Sequence, residues 1–283
     1  MVYVTRHPWF LPLLMMAPAV LLIAVVFGQP LAMILRMSLN EWQPPKFYVD
    51  GATLDHYRRI LSDSVVHQAL RNSLVLAGLA AVISVLLGYG LAFVVWARTG
   101  RWRVVMIGLM LCPLLISEIS VIFGWWMFLP RNGMLSWAFT GVGLIDAPIS
   151  LLYHPATALL ALVYIILPFS FFILLASFQR LDRQHLEASA DLGAPAFATF
   201  REVLLPQTWK GVVLALSQGF IWGVGTYASP SALGPDTLWT MGGLVEEQMI
   251  GRANWPMASA LATVMVIMIA FALTLAQMMD QEG

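Results

Sequence analysis

Six long apolar runs limit what this chain can fold into more than any single motif does. They cover about residues 9–35, 70–97, 104–129, 156–178, 212–233 and 257–276. A helix needs about 20 consecutive, mostly apolar residues to cross a bilayer, and each run satisfies that. A water-soluble fold would have to hide all six in one core. The composition argues against that: 60% of residues are hydrophobic and 11% charged, against roughly 45–50% and about 25% in soluble domains. The runs therefore predict an all-α membrane protein, one domain over residues 1–283 with six transmembrane helices. The first run exceeds the ~7–15 apolar residues of a signal peptide and lacks a small-residue cleavage site, so it is expected to stay in the membrane.

Charge and cysteine content narrow the function. The formal net charge is zero, which offers no basic surface for nucleic acid. The single cysteine, Cys112, excludes an internal disulfide and a multi-cysteine metal site. No G-x-x-x-x-G-K-S/T phosphate loop, H-E-x-x-H or G-x-S-x-G occurs, so neither an ATPase nor a hydrolase centre is expected, and no cofactor or metal is expected on the chain. The dense turn Arg98-Thr99-Gly100-Arg101-Trp102-Arg103 lies between the second and third runs. By the positive-inside rule it is cytoplasmic, which also places both termini inside. Trp42, Tyr48, Trp137 and Trp239 on the opposite side are either interfacial anchors or contacts for an outer partner.

One stretch breaks the apolar pattern. Residues 179–210, between the fourth and fifth runs, are polar yet carry helix signals. Asp182 is placed to cap a helix over Arg183–Leu192. Gly193 suits a helix end that needs positive φ, and Pro195 the first turn of the next helix, which is expected to stop at Pro206. Leu186, Ala190, Phe197, Phe200 and Leu204 form an apolar side; Glu187, Asp191, Arg201 and Glu202 form a polar one. Helices this short are marginal alone. The loop either lies at the membrane surface or is ordered by a docking partner.

The order Glu187-Ala188-Ser189-Ala190-Asp191-Leu192-Gly193, nine residues, then Val203-Leu204-Leu205-Pro206 resembles the cytoplasmic coupling loop of permease subunits in type I ATP-binding-cassette (ABC) importers. Ser189 replaces the usual second alanine and Val203 the usual isoleucine. Leu167-Pro168-Phe169, the run Gly225–Gly234 and Asn254-Trp255-Pro256 are similar to the polyamine, opine, thiamine and ferric-iron group of these permeases. The resemblance implies a bacterial inner-membrane, multi-pass subunit that forms half of a pathway. Its implied partners are a second permease chain, two cytoplasmic ATPases that bind the ATP, and an extracytoplasmic solute-binding protein. It also implies that Glu187, Ala188, Ser189, Asp191, Leu192, Gly193, Ala194, Phe197 and Phe200 meet the ATPase. The substrate group it favours is polyamine- or opine-like.

For a substrate pathway the candidates are Glu118, Trp222, Thr226, Tyr227 and Ser229. Glu118 is the one acid deep in a run. A charge at mid-bilayer costs about 2.5–3.5 kcal/mol, so such a residue faces a cavity or a partner. It is either a holder for a substrate ammonium group or a hydrogen-bond partner of a neighbouring helix. Gly219, Gly223 and Gly225 allow close helix packing, and Trp222 and Tyr227 are candidate cation-path aromatics. Many polyamine-group relatives have an acid where this chain has Thr226, which leaves a sugar-type permease open. A secondary transporter, the alternative of another class, would call for more intramembrane charges and paired broken helices.

Overall fold

A computed structural model describes residues 10–281. Trp9, the first residue of the first apolar run, and the side chain of Ala190 lie outside the described residues. The described chain is almost entirely helical; its strand-like pairing is an isolated bridge between Glu41 and Val49. Four helical stretches are long and apolar enough to cross a membrane: Met15–Ser38, Ser64–Ala97, Pro155–Gln179 and Trp255–Thr274. A fifth crossing is available if the bent pair Arg101–Leu115 and Glu118–Phe128 counts as one.

Two compact units divide the chain. The first takes the residues up to Ser62 together with Val245–Val264. It holds α1 (Phe10–Ile23), α2 (Gln29–Ser38) and α3 (Asp55–Ser62). Between α1 and α2 the turn Ala24–Gly28 widens to π geometry, just before Pro30, whose ring and missing N–H a regular α turn does not accommodate. Below α2 a polar knot orders the loop. Ser38 Oγ meets the Tyr57 hydroxyl at 2.7 Å, and His56 Nε2 lies 3.0 Å from the Asn40 carbonyl. Thr53 Oγ1 accepts from the Asp55 amide at 3.1 Å and starts α3. In the Val245–Val264 stretch, Asn254 Oδ1 accepts from the Met257 amide at 3.1 Å and so caps α14 (Trp255–Gln281).

The second unit, Asp63–Leu244 with the chain from Met265 onward, carries both candidate sites. Its elements are α4 (Ser64–Ala97), α5 (Arg101–Leu115), α6 (Glu118–Phe128), α7 (Met134–Gly141), α8 (Pro155–Gln179), α9 (Arg183–Asp191), α10 (Ala196–Thr199), α11 (Leu205–Gly225), α12 (Ala228–Leu233) and the start of α13 (Met241–Glu246). The core is the three-way packing of α4, α8 and α11, centred on the fully buried Leu162, Ile166, Phe171, Leu174 and Phe178. Asp63 Oδ1 accepts from the Val65 amide at 2.8 Å and caps α4. Small residues set the helix spacing. A Cβ on Gly223 would lie 2.7 Å from the Ala77 Cα, and one on Gly219 3.3 Å from the Ala81 Cα. These two glycines serve close packing, as their type allows in a membrane bundle. Gly225 has open space around it.

Two apolar runs that read as continuous are broken. The run at 104–129 bends by 99° between α5 and α6. Pro113, in the last turn of α5, donates no hydrogen bond, and Ile116 and Ser117 become extended (ψ 134° and 138°) before α6 starts. The run at 212–233 is interrupted where Thr226 becomes extended (ψ 143°) after Gly225; the chain turns helical again at Ala228. Helix α11 is 21 residues long, but Gln207, Lys210, Ser217 and Gln218 make it less apolar than the four crossing stretches.

Candidate functional site

The two breaks bring together three of the residues singled out for a pathway. Glu118 opens the first turn of α6, and the second break presents Thr226 and Ser229. The Ser229 hydroxyl donates to Glu118 Oε1 at 2.9 Å, and that of Thr226 approaches the same oxygen at 3.4 Å. Ser229 is fully buried and Thr226 nearly so, while Glu118 is half-buried. Both hydroxyls use one carboxylate oxygen, so Oε2 keeps its acceptor capacity for something else. This geometry joins the two readings of Glu118: it bonds a neighbouring element and presents a free oxygen.

The aromatic candidates divide. Trp222 is partly exposed and stacks on Phe169 with ring centres 5.0 Å apart. Tyr227, at the break itself, is half exposed, and no ring contact joins it to Trp222 among the described residues. Close to the α5–α6 break lies a recess of about 310 Å3 lined by Ser120, Gly124, Trp125 and Tyr164. Trp125 and Tyr164 meet edge to face at 6.0 Å. Sequence reasoning missed this pair, because the two residues lie on different runs and neither interrupts an apolar pattern.

The second site is the polar loop. Asp182 Oδ1 accepts from the Gln184 amide at 2.9 Å, the expected cap of α9. Helix α9 ends at Asp191, and Gly193 adopts φ +75°, the left-handed conformation that glycine reaches without cost. The Ala194 amide then donates to the Ser189 carbonyl at 3.1 Å. Ser189 Oγ also meets Thr199 Oγ1 at 2.9 Å, so the polar residue at the alanine position ties α9 to α10. Pro195 takes the N-cap position of α10, one residue before its first helical turn.

Pro206 does not stop the following helix. The turn Phe200–Leu204 widens to π geometry, with the Leu205 amide reaching the Phe200 carbonyl, and α11 carries on with Pro206 in its first turn. The wider turn absorbs the register that a proline without an N–H would otherwise break. The loop's second arm is thus continuous with a core helix.

The packed face of the loop is narrower than its pattern suggests. Leu204 is buried and Leu186 half-buried, and they border a groove of about 650 Å3 shared with Tyr89, Phe93, Trp96, Ala194 and Phe200. Tyr89 anchors it: its hydroxyl meets Thr208 Oγ1 at 2.9 Å and its ring sits on Phe178 and Phe200 at 4.9 and 5.9 Å. Phe197, on the loop's apolar side, is 72% exposed, and Leu192 is 87% exposed. Glu187, Ala188 and Asp191 are exposed as well. The elbow therefore offers two large exposed apolar side chains, on a loop whose Glu187 and Asp191 are also exposed and whose backbone is held by named hydrogen bonds.

No protein-family model matches the chain. Along its sequence it is similar to the spermidine/putrescine transport system permease protein PotB of Haemophilus influenzae, 27% identical over 241 residues, 85% of this chain and 84% of that one. PotB of Escherichia coli is 28% identical over 238 residues, 84% of this chain and 86% of that one. The inner membrane ABC transporter permease YdcU of Escherichia coli is 28% identical over 224 residues, 75% of this chain and 71% of that one. In fold it resembles a chain of the bacterial alginate ABC transporter crystallised with a pentasaccharide-bound periplasmic protein. There the TM-score is 0.77 at 15% identity, over 96% of this chain and 94% of that one. It also resembles a chain of the inward-facing methionine ABC transporter MetNI, with TM-score 0.59 at 16% identity, over 81% of this chain and 98% of that one. The relatives along the sequence and the neighbours in fold agree: both are permeases or chains of ABC transporters, and this chain is similar to them over most of its length.

Proposed function

We propose that this permease forms half of the translocation pathway of a type I, binding-protein-dependent importer for small organic cations of the polyamine kind. The observation that carries the reading is the built elbow at Leu192–Phe197. It is an ordered hinge with two exposed apolar side chains on a polar loop, continuous through the π turn with a core helix. Exposed apolar groups rimmed by charge mark a docking surface, and α11 supplies a lever from that surface to the break at Thr226. In this reading an ATPase subunit receives Glu187, Ala188, Ser189, Asp191, Leu192, Gly193, Ala194, Phe197 and Phe200. Closure of the ATPase dimer on ATP moves the loop as a rigid body, and hydrolysis returns it. ATP is bound by the partner; the permease itself carries no cofactor and catalyses no reaction.

The rest of the assembly follows from the same reading. The bent pair α5–α6 and α11 complete six crossings of one permease domain in the bacterial inner membrane. The Arg98–Arg103 turn, residues 179–210 and both termini are cytoplasmic. A second, different permease chain closes the pathway, and a solute-binding protein delivers substrate outside. Glu118 favours a cation: its free carboxylate oxygen suits an ammonium group, with Ser229 and Thr226 orienting it and Trp222 and Tyr227 nearby as aromatic faces. The names of the relatives point to the same substrate group, and Thr226, standing where an acid is common, gives the path one charge fewer.

Co-expression with the neighbouring transport genes and reconstitution into vesicles tests the reading. ATP-dependent uptake of radiolabelled putrescine or spermidine with a co-purifying ATPase is expected. Uptake driven by an ion gradient without ATPase would replace it with secondary transport.

A further inference from the structure

The joint between α4 and α5 lies apart from the Glu118 cluster and the Leu192–Phe197 elbow in the residues that build it. Helix α4 ends at Ala97 and α5 begins at Arg101, with Gly100 at φ +80° making the turn. A recess of about 190 Å3 opens between the two helix ends, lined by Val94, Val95 and Arg98 from one side and Trp102, Arg103 and Met106 from the other. Arg98, Arg101 and Arg103 enter no hydrogen bond or ion pair with a described residue. Arg103 is half-buried and Arg98 exposed at the recess; Arg101, next in sequence to Gly100 and Trp102, is exposed and does not line it.

This arrangement runs against ordinary helix electrostatics. The first turn of α5 holds two arginines and no acid, and no side chain caps its amides. The positive end of a helix is stabilised by anions and destabilised by cations. Three guanidinium groups at a positive helix end leave a concentrated positive charge that no acid among the described residues pairs with. The recess beneath that charge is almost wholly carbon, and Val94, Trp102, Val104 and Val105 around it are exposed. An occupant must therefore be anionic at one end and apolar at the other.

We propose that this recess is a binding site for an anionic phospholipid. Its phosphate sits against Arg98 and Arg103, with Arg101 adding to the local positive charge, and the upper methylenes of one acyl chain lie on Val94, Val95 and Met106. A volume of 190 Å3 takes the start of one chain and not a whole lipid, so the remainder lies along the exposed outer faces of α4 and α5. Trp102 marks the water–hydrocarbon boundary, where its amphipathic ring belongs. Basic recesses between transmembrane helices hold anionic headgroups in this way. A free phosphate would leave the carbon lining facing water. The inference rests on α4 crossing the bilayer and is independent of what the permease transports.

Native mass spectrometry of the purified permease in detergent, titrated with phosphatidylglycerol or phosphatidylcholine, tests it. The wild-type chain is expected to retain phosphatidylglycerol in preference. Removing the charges in R98Q/R101Q/R103Q should weaken retention by about fivefold per arginine. Val94→Phe, which keeps every charge and fills the recess, should also abolish the preference. If Val94→Phe binds as the wild type does while only the charge variant fails, the attraction is diffuse and the site is refuted. Equal retention of both lipids, or displacement of the lipid by millimolar inorganic phosphate, would also refute it. So would loss of ATPase co-purification in the charge variant with lipid binding intact, which would assign the arginines to a protein partner. Should the triple variant fail to insert, the Val94→Phe arm decides alone.

Discussion

Gly223 gives the sharpest test of how the core is spaced. Replacing it with alanine puts a Cβ 2.7 Å from the Ala77 Cα and 2.8 Å from the Ala77 Cβ. Carbon atoms pack best at about 3.5–4.0 Å, so α4 and α11 must separate by roughly 1 Å. The nearest obstacle is backbone, which cannot rotate away. Overpacking of this kind costs about 1–3 kcal/mol, and the better helix propensity of alanine returns up to about 1 kcal/mol. A net loss of about 1–2 kcal/mol is expected, seen as a fall of roughly 2–6 °C in the melting midpoint of the detergent-purified protein. Gly225→Ala, in open space, should leave the midpoint unchanged. Gly219→Ala should fall between, since its Cβ would meet the Ala81 Cα at 3.3 Å and the Ile166 Cγ2 methyl at 3.0 Å. Adding Ala77→Gly to Gly223→Ala removes one of the two contacts, so it should restore part of the loss and not all. Equal midpoints for the Gly223 and Gly225 variants would refute the claim that glycine is there for helix approach.

Four further outcomes follow from the two sites. Glu118→Gln keeps an oxygen for the Ser229 hydroxyl, so the protein should assemble normally while substrate uptake falls at least about tenfold, equivalent to ~1.4 kcal/mol; uptake assays on reconstituted vesicles would show it. Ser229→Ala leaves Glu118 Oε1 with only the long Thr226 approach, and should raise the substrate concentration needed for half-maximal uptake while leaving ATPase docking intact. Gly193→Val forces a β-branched residue to φ +75° at a strain of about 1–2 kcal/mol; the permease should insert yet hydrolyse ATP without transport, whereas Gly193→Asn, which tolerates that conformation, should stay coupled. Asp182→Ala removes the α9 cap at a cost of about 1 kcal/mol, and hydrogen exchange should quicken over Arg183–Asp191 with the core helices unaffected.

Much of this architecture is legible in the residues because it rests on local chemistry. Asp182 caps α9 and Gly193 takes positive φ because short-range backbone needs select those residue types. The close approach at Gly219 and Gly223 is legible from their size. The helix breaks are not legible, since each apolar run resumes within a few residues on the far side of Ser117–Glu118 and of Thr226–Tyr227. An apolar run says how greasy a segment is and nothing about its direction, so the 99° bend passes unseen. Pro113 was the available signal, three residues before the extended pair. Pro206 misleads in the opposite sense: a proline reads as a helix stop, and the π turn at Phe200–Leu204 lets the helix continue. The exposure of Phe197 is not legible either, since an apolar periodicity is the same whether its face packs on the chain or stands open to a partner. The link from Tyr89 to Thr208 and Phe200 joins residues more than a hundred positions apart, beyond any local pattern.

The central claim is that the elbow at residues 192–197 receives the force of ATP hydrolysis. The most direct measurement places single cysteines at Leu192 and Phe197 in a Cys112→Ala background and cross-links them to the co-purified ATPase, with and without ATP. Cross-linking at both positions, changing in yield with nucleotide, with far less at the buried control Leu204, is the predicted result. No cross-link at either position, in a complex that still imports substrate on ATP, would contradict the account.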